Sequence, residues 1–350
     1  MHRYLFVIVS FLGAARGADL KVITPAGARP PVGPYSPGIM AGDYLYVSGQ
    51  GAAKADGTFP DTAEQQVEQC LNNVKAIVEG AGLTMEHVVY AQLYLKDITR
   101  YEDANRVWAK FFPKDPPARA TIGVAKMPTD TPVEVSVTAV RDMGRRKSVG
   151  PKLNEPVSAG VMAGDRLYFS GVLGRDSKTG NVPPDPAQQV QLALDQLSQT
   201  LEAADMDFST VVFVNPYLTD KMPMDIMNKI YATRFEFGNT PARATIKVAS
   251  LPSEANIEFT GVAIRNVVKR IAVRPKTCHR VRLPARVCSP TIRFTARRKL
   301  ASSRSQQRYL CIYRGDSGSA NHAQPLGRAR GGGADLRQCG RDQRLPGQHQ

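Results

Sequence analysis

Two arginines stand out as the residues of this chain whose sequence context is most suited to chemistry. The segment Pro-Ala-Arg-Ala-Thr-Ile occurs at Pro117–Ile122 and again at Pro241–Ile246, so Arg119 and Arg243 hold the same position 124 residues apart. A guanidinium presents a planar fork of donors that matches anionic groups. The repeat therefore nominates one arginine as the chemical centre of each copy. The ordinary alternative is a surface or salt-bridged arginine on a strand.

Other catalytic and metal-binding patterns do not appear in the sequence. It contains no Gly-x-Ser-x-Gly segment, no phosphate-binding loop and no His-Glu-x-x-His motif. The five histidines are scattered, and His87 alone lies in the repeated part. Cys70 falls in an apolar helical stripe, and the four later cysteines form no Cys-x-x-Cys pair. We therefore predict no metal site.

The elements that must position the arginines begin with a hairpin and a helix in each copy. Gly38–Gly49 returns as Gly160–Gly171, with a hairpin turn predicted at residues 41–43. An amphipathic helix follows, beginning at a Thr62/Gln65 capping box in the first copy and at Asp185-Pro186 in the second. Apolar residues recur along it at steps of three and four: Val67, Cys70, Leu71, Val74, Ile77 and Val78, then Val190, Ala193, Leu194, Leu197 and Leu201.

The second half of each copy predicts a strand, a second helix, the arginine strand and a last strand. The first of these strands is predicted at 88–96 and 211–219, and the last at 133–141 and 257–265. Pro216 predicts that its strand is at a sheet edge or bulged there, because proline cannot donate to a ladder. Each copy thus predicts a β-β-α-β-α-β-β domain of the α+β class, with two helices on one face of a sheet.

The charge of the chain is concentrated in its C-terminal part. Lys269–Gln350 contains 19 of the 46 basic residues and 3 Asp, whereas the preceding 268 residues hold 27 basic and 28 acidic residues. A neutral body offers no footprint for specific nucleic-acid binding. We predict that residues 267–350 form a disordered basic tail of low order. Its richness in Arg and Gly is also typical of a gene read out of frame, and a disulfide-stapled module is a third interpretation.

The N-terminus has the features of an export signal. His2 and Arg3 precede a mostly apolar run from Tyr4 to Ala15, and small residues follow at a cleavage site. The run is too short to span a bilayer. We therefore predict a signal peptide at residues 1–17, a secreted or periplasmic protein, and no membrane association after cleavage. A buried first strand is the alternative.

Several motifs, in the same order and register, resemble those of one known family. These are Gly33-Pro34-Tyr35-Ser36-Pro37-Gly38, Val47-Ser48-Gly49-Gln50, Leu71-Asn72-Asn73-Val74, Pro117-Ala118-Arg119 and Val133-Glu134-Val135. They are similar to the Rid family (reactive intermediate deaminases, also called YjgF-like or L-PSP endoribonuclease-like proteins). The resemblance indicates Rid-like domains at residues 24–142 and 153–266, joined by a linker at 143–152.

The resemblance implies a fold, an assembly and a reaction. The fold is chorismate-mutase-like (YjgF-like), and the assembly is a trimer or pseudo-trimer with ligand clefts between neighbouring domains. The reaction is hydrolysis of reactive enamines or 2-imino acids to 2-oxo acids and ammonia, without a cofactor. An arginine fork would hold the substrate carboxylate in a bidentate manner and place the imine carbon for attack by water. A non-catalytic module for small carboxylates and an endoribonuclease are the alternative functions.

Site residues follow from the resemblance by position. Arg119 and Arg243 correspond to the carboxylate clamps. The implied substrate-binding residues are Tyr35, Ser48, Gly49, Thr121, Gly171 and Thr245. For Asn105, hydrogen bonding within the fold is as consistent with the sequence as a ligand role.

The chain also departs from the family pattern. The family's second glutamate on the last strand corresponds to Ser136 and Thr260. Strand spacing predicts that the retained Glu134 lies too far away to replace it. In the second copy Val157 replaces the tyrosine, so this copy is expected to be the more divergent.

Overall fold

The computed structural model of the protein describes residues 20–25, 30–235 and 239–265. The predicted signal peptide and the predicted basic tail lie outside these described residues. The two repeats fold as two domains within one compact unit. Across the described ranges, no helix is long and apolar enough to cross a membrane.

The first domain is a six-stranded sheet packed against two helices. Its elements are β1 (Leu20–Ile23), β2 (Gly38–Ala41), β3 (Tyr44–Gly51), α1 (Ala63–Gly80), β4 (Val88–Leu95), α2 (Tyr101–Phe111), β5 (Ala118–Gly123) and β6 (Val133–Val140). The strand order is β1-β2-β3-β6-β4-β5. Neighbouring strands are antiparallel except β4 and β5, which the helix α2 connects as a parallel pair.

The second domain repeats this arrangement with a broken edge strand. Its elements are β7 (Arg146–Lys152), β8 (Ser158–Ala163), β9 (Arg166–Leu173), α3 (Pro186–Glu202), β10 (Val211–Leu218), α4 (Met224–Tyr231), β11 (Ala242–Arg243), β12 (Ile246–Lys247) and β13 (Ile257–Ile264). The order is β11-β10-β13-β9-β8-β7, and β12 also pairs with β10. The predicted α+β fold is therefore confirmed. With the broken edge strand counted as one, each domain has one strand more than the predicted β-β-α-β-α-β-β order, β1 in the first and β7 in the second.

Local sequence signals account for the ends of several elements. Thr62 Oγ1 accepts from the Gln65 backbone N–H, and Gln65 Oε1 accepts from the Thr62 N–H, both at 3.3 Å, which confirms the capping box. Asp185 Oδ1 accepts from the Ala187 N–H at 3.0 Å at the start of α3. Gly42 has a φ of 58°, as a two-residue hairpin turn between β2 and β3 requires.

Two features of the sheets differ from the sequence expectations. The predicted linker contains β7, which pairs with β8, just as β1 pairs with β2 in the first domain. Pro216 lies in β10, which is not an edge strand, because it runs between β13 and the edge of the sheet. The strand that is interrupted is the edge strand that pairs with β10. Pro216 has no N–H to donate, and the edge strand is split into β11 and β12 beside it. The expectation of an edge strand or a bulge at Pro216 is therefore wrong.

The outer faces of the two sheets pack against each other. Each domain has its own core between sheet and helices. Two smaller apolar clusters join the domains, one around Val89 and Tyr168 and the other around Ile122 and Leu251. The Gly123 N–H donates to the Ser250 carbonyl oxygen at 2.9 Å across the interface. Every residue of β5 is buried as a result, whereas all four residues of β11 and β12 are exposed.

Candidate functional site

A cavity of about 400 Å³ lies between the two domains and is called here the Arg119 cleft. The first domain contributes Tyr101 from α2, and Arg119 and Thr121 from β5. The second domain contributes the segment before β8, the end of β9 and Glu258 of β13. The cleft is thus complete within a single chain, at the one interface that joins the two repeats.

Arg119 is buried at the inner end of this cleft, with 3% of its surface exposed. Its Nη2 donates to Asn105 Oδ1 at 2.5 Å, and its Cζ lies 4.8 Å from the ring centroid of Trp108. Its Nη1 is buried and has no hydrogen-bond partner among the described residues. A buried donor without a partner is costly, and burial disfavours an uncompensated charge. An anionic group in the cleft would satisfy both.

Glu258 contributes a carboxyl group from the second domain. Its Oε1 accepts from the Thr121 N–H at 3.3 Å, and its buried Oε2 has no partner among the described residues. Burial raises the pKa of Glu258 to about 8, more than the Thr121 N–H and Arg119 lower it. Glu258 is therefore mostly protonated at neutral pH and can act as a hydrogen-bond donor.

Gly171 makes room for that carboxyl group. A Cβ at this position would lie 1.8 Å from Glu258 Oε1 and 2.5 Å from its Cδ. Glycine thus permits the close approach of β9 and the Glu258 side chain. The predicted pocket residue Gly171 therefore lies in the cleft, where it leaves space for the carboxyl group of Glu258.

Ser170 fixes the backbone of the arginine strand against the second domain. Its Oγ donates to the Ser158 carbonyl oxygen at 2.6 Å and accepts from the Arg119 N–H at 2.8 Å. Ser158 Oγ in turn donates to the Pro116 carbonyl oxygen at 2.6 Å. These hydrogen bonds position Arg119 through its main chain, because they join β5 directly to β8 and β9.

A second polar group, formed by Tyr101, Glu155 and Arg175, lies beside the arginine. Tyr101 Oη donates to Glu155, and Arg175 forms an ion pair with the same carboxylate. Burial raises the pKa of Tyr101, so its hydroxyl keeps the proton that it donates. Arg119 Nη2 lies 3.5 Å from Tyr101 Oη. None of the three residues could be predicted from the sequence, since only the docking of the two domains brings them together.

Three other predicted residues of the first copy, Tyr35, Ser48 and Gly49, belong to a separate half-site. Tyr35 and Gly49 line a cavity of about 280 Å³ on the far side of the first domain, and Tyr35 is 43% exposed. Ser48 Oγ donates to the Ser36 carbonyl oxygen at 2.7 Å, as Ser170 does to Ser158. A Cβ on Gly49 would lie 2.1 Å from Glu134 Oε1. This half-site has the features contributed by the second domain to the Arg119 cleft, without an arginine.

Arg243 lies on the exposed edge of the second domain. Its Cζ is 5.0 Å from the ring centroid of Tyr231, and it lines neither of the two cavities described above. Thr245 lies between the two short strands of the same edge. Arg119 and Arg243 are therefore not equivalent among the described residues, because none of these covers the second arginine strand in the way that β8 and β9 cover the first.

The family departures have a different consequence from the one expected. Thr260 is fully buried, and its Oγ1 donates to the Phe169 carbonyl oxygen at 2.9 Å and hydrogen bonds with Tyr90 Oη at 3.0 Å. It does not line the cavity, whereas Glu258 does. Glu134, to which that expectation applied, lines neither cavity, whereas its counterpart Glu258 reaches into the Arg119 cleft.

No metal site accompanies these groups in the described part of the chain. Those residues contain no cluster of three or more His, Cys, Asp or Glu side chains that could hold a metal ion. The polar groups that line the Arg119 cleft include guanidinium, carboxyl and hydroxyl groups.

Comparison with known proteins gives matches to both repeats. The family model described as Endoribonuclease L-PSP matches residues 26–141 and 149–265. A RutC family protein of Saccharolobus solfataricus is 39% identical over 121 residues, which are 34% of this chain and 96% of that protein. A RutC family protein of Aquifex aeolicus is 36% identical over 126 residues, 35% of this chain and 100% of that protein.

Two solved structures are similar to a single repeat. The yjgF gene product of E. coli is 34% identical, with a TM-score of 0.34, over 35% of this chain and 99% of that chain. TdcF of E. coli, solved with bound serine, is 31% identical, with the same TM-score and the same coverage.

Proposed function

Because the chain belongs to the Endoribonuclease L-PSP family, with one family domain in each repeat, we propose that the Arg119 cleft binds 2-imino acids and hydrolyses them to 2-oxo acids and ammonia. The observation that carries the proposal is that a buried guanidinium, one of whose nitrogens has no partner, and the buried carboxyl group of Glu258 line the same cavity. Burial raises the pKa of that carboxyl group to about 8, which favours its protonated form at neutral pH. A 2-imino acid offers a carboxylate to the first and a basic nitrogen to the second.

Each group has a defined role in the proposed reaction. Arg119 binds the substrate carboxylate through the free Nη1, which fixes C2 of the substrate in the cleft. Glu258 donates its proton to the imine nitrogen, and water adds to C2 to give a carbinolamine. The carbinolamine collapses to the 2-oxo acid as ammonia leaves, and the proton released from the added water returns to Glu258. The sum is imine plus water giving 2-oxo acid plus ammonia.

The repeat supplies a matched pair of variants to test this function. Arg119→Ala should lower the acceleration of imino acid hydrolysis by about 100-fold or more, because electrostatic binding and positioning are both lost. Arg243→Ala removes the same side chain from the same motif on an exposed edge, and at low salt, where we expect the chain to be monomeric, it should change the rate by less than about twofold. Rates of 2-oxo acid release from an enzymatically generated imino acid provide the measurement. Equal rates in the wild type and Arg119→Ala would refute the role of Arg119.

Two other functions remain candidates for the same cleft. A carboxylate-binding module without turnover is favoured by Thr260, which stands in place of the family's second glutamate and faces Tyr90. Calorimetric binding of 2-oxobutyrate without any acceleration of hydrolysis would support it.

Ribonuclease activity is named in the family description, but the nearly neutral body of the chain gives little attraction for RNA. RNA cleavage that survives Arg119→Ala would support that activity at another site.

Assembly with further domains is a second part of the proposal. The exposed edge around Arg243 corresponds to the surface that the first domain buries at the cleft. The half-site around Tyr35 and Gly49 corresponds to the surface that receives it. The described chain therefore presents two complementary surfaces, with Phe213 37% and Ile246 47% exposed on one and Tyr46 44% exposed on the other. We propose that these surfaces bind domains of the same fold, as in a pseudo-trimer or homo-oligomer.

A further inference from the structure

The wall of the Arg119 cleft differs in chemistry from the corresponding wall of the first domain. The three differing positions hold Val157, Val172 and Leu173 in the second domain, and Tyr35, Gln50 and Gly51 in the first. The cleft thus has aliphatic side chains where the half-site has a phenol, an amide and a glycine. The repeat provides this comparison within one chain, on two surfaces of the same fold.

The size of the cleft is consistent with a ligand larger than a three-carbon acid. Its volume is about 400 Å³, in the range of cavities that enclose small-molecule ligands. Val157 and Val172 each retain 8% of their surface exposed, and Leu173 retains 6%, next to a cavity that they line. A short substrate would leave this aliphatic wall in contact with water. A branched or long aliphatic side chain would cover it, and burial of apolar surface favours binding.

We infer that the Arg119 cleft selects 2-imino acids with a branched or long aliphatic side chain, such as those formed from leucine or methionine, over the one formed from alanine. The inference rests on the proposed function for the reaction, but its binding preference is independent of turnover. Arg119 holds the carboxylate end, and the aliphatic wall contacts the side chain. Val157 is the specificity-determining position, because a tyrosine there would fill the space and add a hydroxyl group.

Wild-type protein tests the preference in two ways. An amino acid oxidase generates the imino acids in place, and the acceleration of their hydrolysis should be at least about tenfold greater for the leucine-derived than for the alanine-derived compound. Calorimetry should give a dissociation constant at least about tenfold lower for 4-methyl-2-oxopentanoate than for pyruvate. Equal affinity for the two acids would overturn the inference. Tighter binding of the larger acid with no acceleration for any imino acid would overturn only the proposed reaction.

Placing the tyrosine of the first copy at Val157 tests the position. Val157→Tyr should lower kcat/KM for the leucine-derived imino acid by about tenfold or more, and leave the alanine-derived one within about twofold. The control Val22→Tyr makes the same change on β1, where Val22 is 57% exposed and lines neither cavity, and should alter neither value. An equal loss for both substrates in Val157→Tyr, with an unchanged unfolding midpoint, would overturn the assignment.

A second variant, Val157→Ala, tests the same position if Val157→Tyr does not fold. The ratio of its dissociation constants for pyruvate and 4-methyl-2-oxopentanoate should be smaller than the ratio for the wild type. An unchanged ratio would overturn the assignment.

Discussion

The neighbouring side chains stabilise the positive charge of Arg119, which is buried in the domain interface. Trp108 offers the face of its ring to the cation, and Asn105 accepts one of its hydrogen bonds. These contacts leave Nη1 free without exposing the side chain to solvent. Arg119 is thus held in place for an anion, and the same burial that favours anion binding raises the pKa of Glu258.

The protonation state of Glu258 predicts the pH dependence of the proposed reaction. A general acid must carry its proton, so the acceleration should be highest below pH 8 and fall as pH rises through the Glu258 pKa of about 8. Glu258→Gln cannot donate this proton and should lower the rate by about 100-fold near pH 7. A pH–rate profile of both proteins measures this. A wild-type rate that rises above pH 8 would contradict the role of acid.

The same pKa predicts how folding stability changes with pH. The folded-state pKa of Glu258 is raised to about 8 from 4.5, so its contribution to stability is fully present below pH 4.5 and is lost as pH rises through 8. Glu258→Gln should therefore gain stability relative to the wild type between pH 5 and pH 9, by at most about 5 kcal/mol. Urea unfolding at both pH values tests this, with the exposed Glu68→Gln as the control. A constant difference between Glu258→Gln and the wild type would show that the carboxyl group is not buried.

At the scale of elements, the strand that carries Gly171 controls where the carboxyl group lies. Gly171→Ala would force Glu258 away from the Thr121 N–H, because the new Cβ overlaps its carboxyl group. We expect kcat/KM to fall by about tenfold or more. At low salt, where we expect the chain to be monomeric, Gly49→Ala is the matched control, since its Cβ would lie 2.1 Å from Glu134 Oε1 in the half-site, compared with 1.8 Å from Glu258 Oε1 at Gly171. Its activity should be unchanged while its unfolding midpoint falls by a similar amount. Equal activity losses in the two variants would contradict the account.

The sequence alone predicts some of the turns, helix ends and site residues, but not all of them. The hairpin at Gly42, the capping box at Thr62 and the start of α3 at Asp185 depend on neighbouring residues, and all three are confirmed. The repeat also located the arginine strands. It could not distinguish Arg119 from Arg243, because the difference comes from which strand the other domain covers. The role of Glu155 likewise could not be predicted from the sequence, because it depends on the docking of α2 against the second domain.

At the scale of the whole molecule, the two repeats use equivalent surfaces in different ways. The first domain buries its arginine strand within the chain, and the second exposes it. The surface around Gly171 of the second domain is covered by the first domain in the Arg119 cleft. The equivalent surface around Gly49 of the first domain lies in the half-site. The chain therefore contains one complete cleft and the two halves of another, so the proposed activity of a single chain rests on Arg119.

Charge at the exposed surfaces predicts how copies of the chain associate. Gly123 and Ser250 meet across the internal interface, and their counterparts by repeat position are Lys247 and Lys126. If the second domain of one copy binds the first domain of another in the same way, Lys247 would lie near Lys126. Lys247 Nζ donates to the carbonyl oxygens of Thr219 and Met222, and Lys126 forms an ion pair with Asp130, so both residues are charged. Like charges at close range repel, and salt screens the repulsion. Association should therefore be weak at low ionic strength and become stronger as salt is added.

A charge reversal tests this mode of assembly. Lys247→Glu would place a carboxylate opposite Lys126 and should strengthen association by about tenfold at low salt, because repulsion becomes attraction. Adding Lys126→Glu to it restores two like charges and should remove the gain. Sedimentation velocity at several concentrations measures both effects, and the activity of the Arg119 cleft serves as a control that should not change. A gain that persists in the double variant would show that the two positions do not meet, and the copies would then associate through other surfaces.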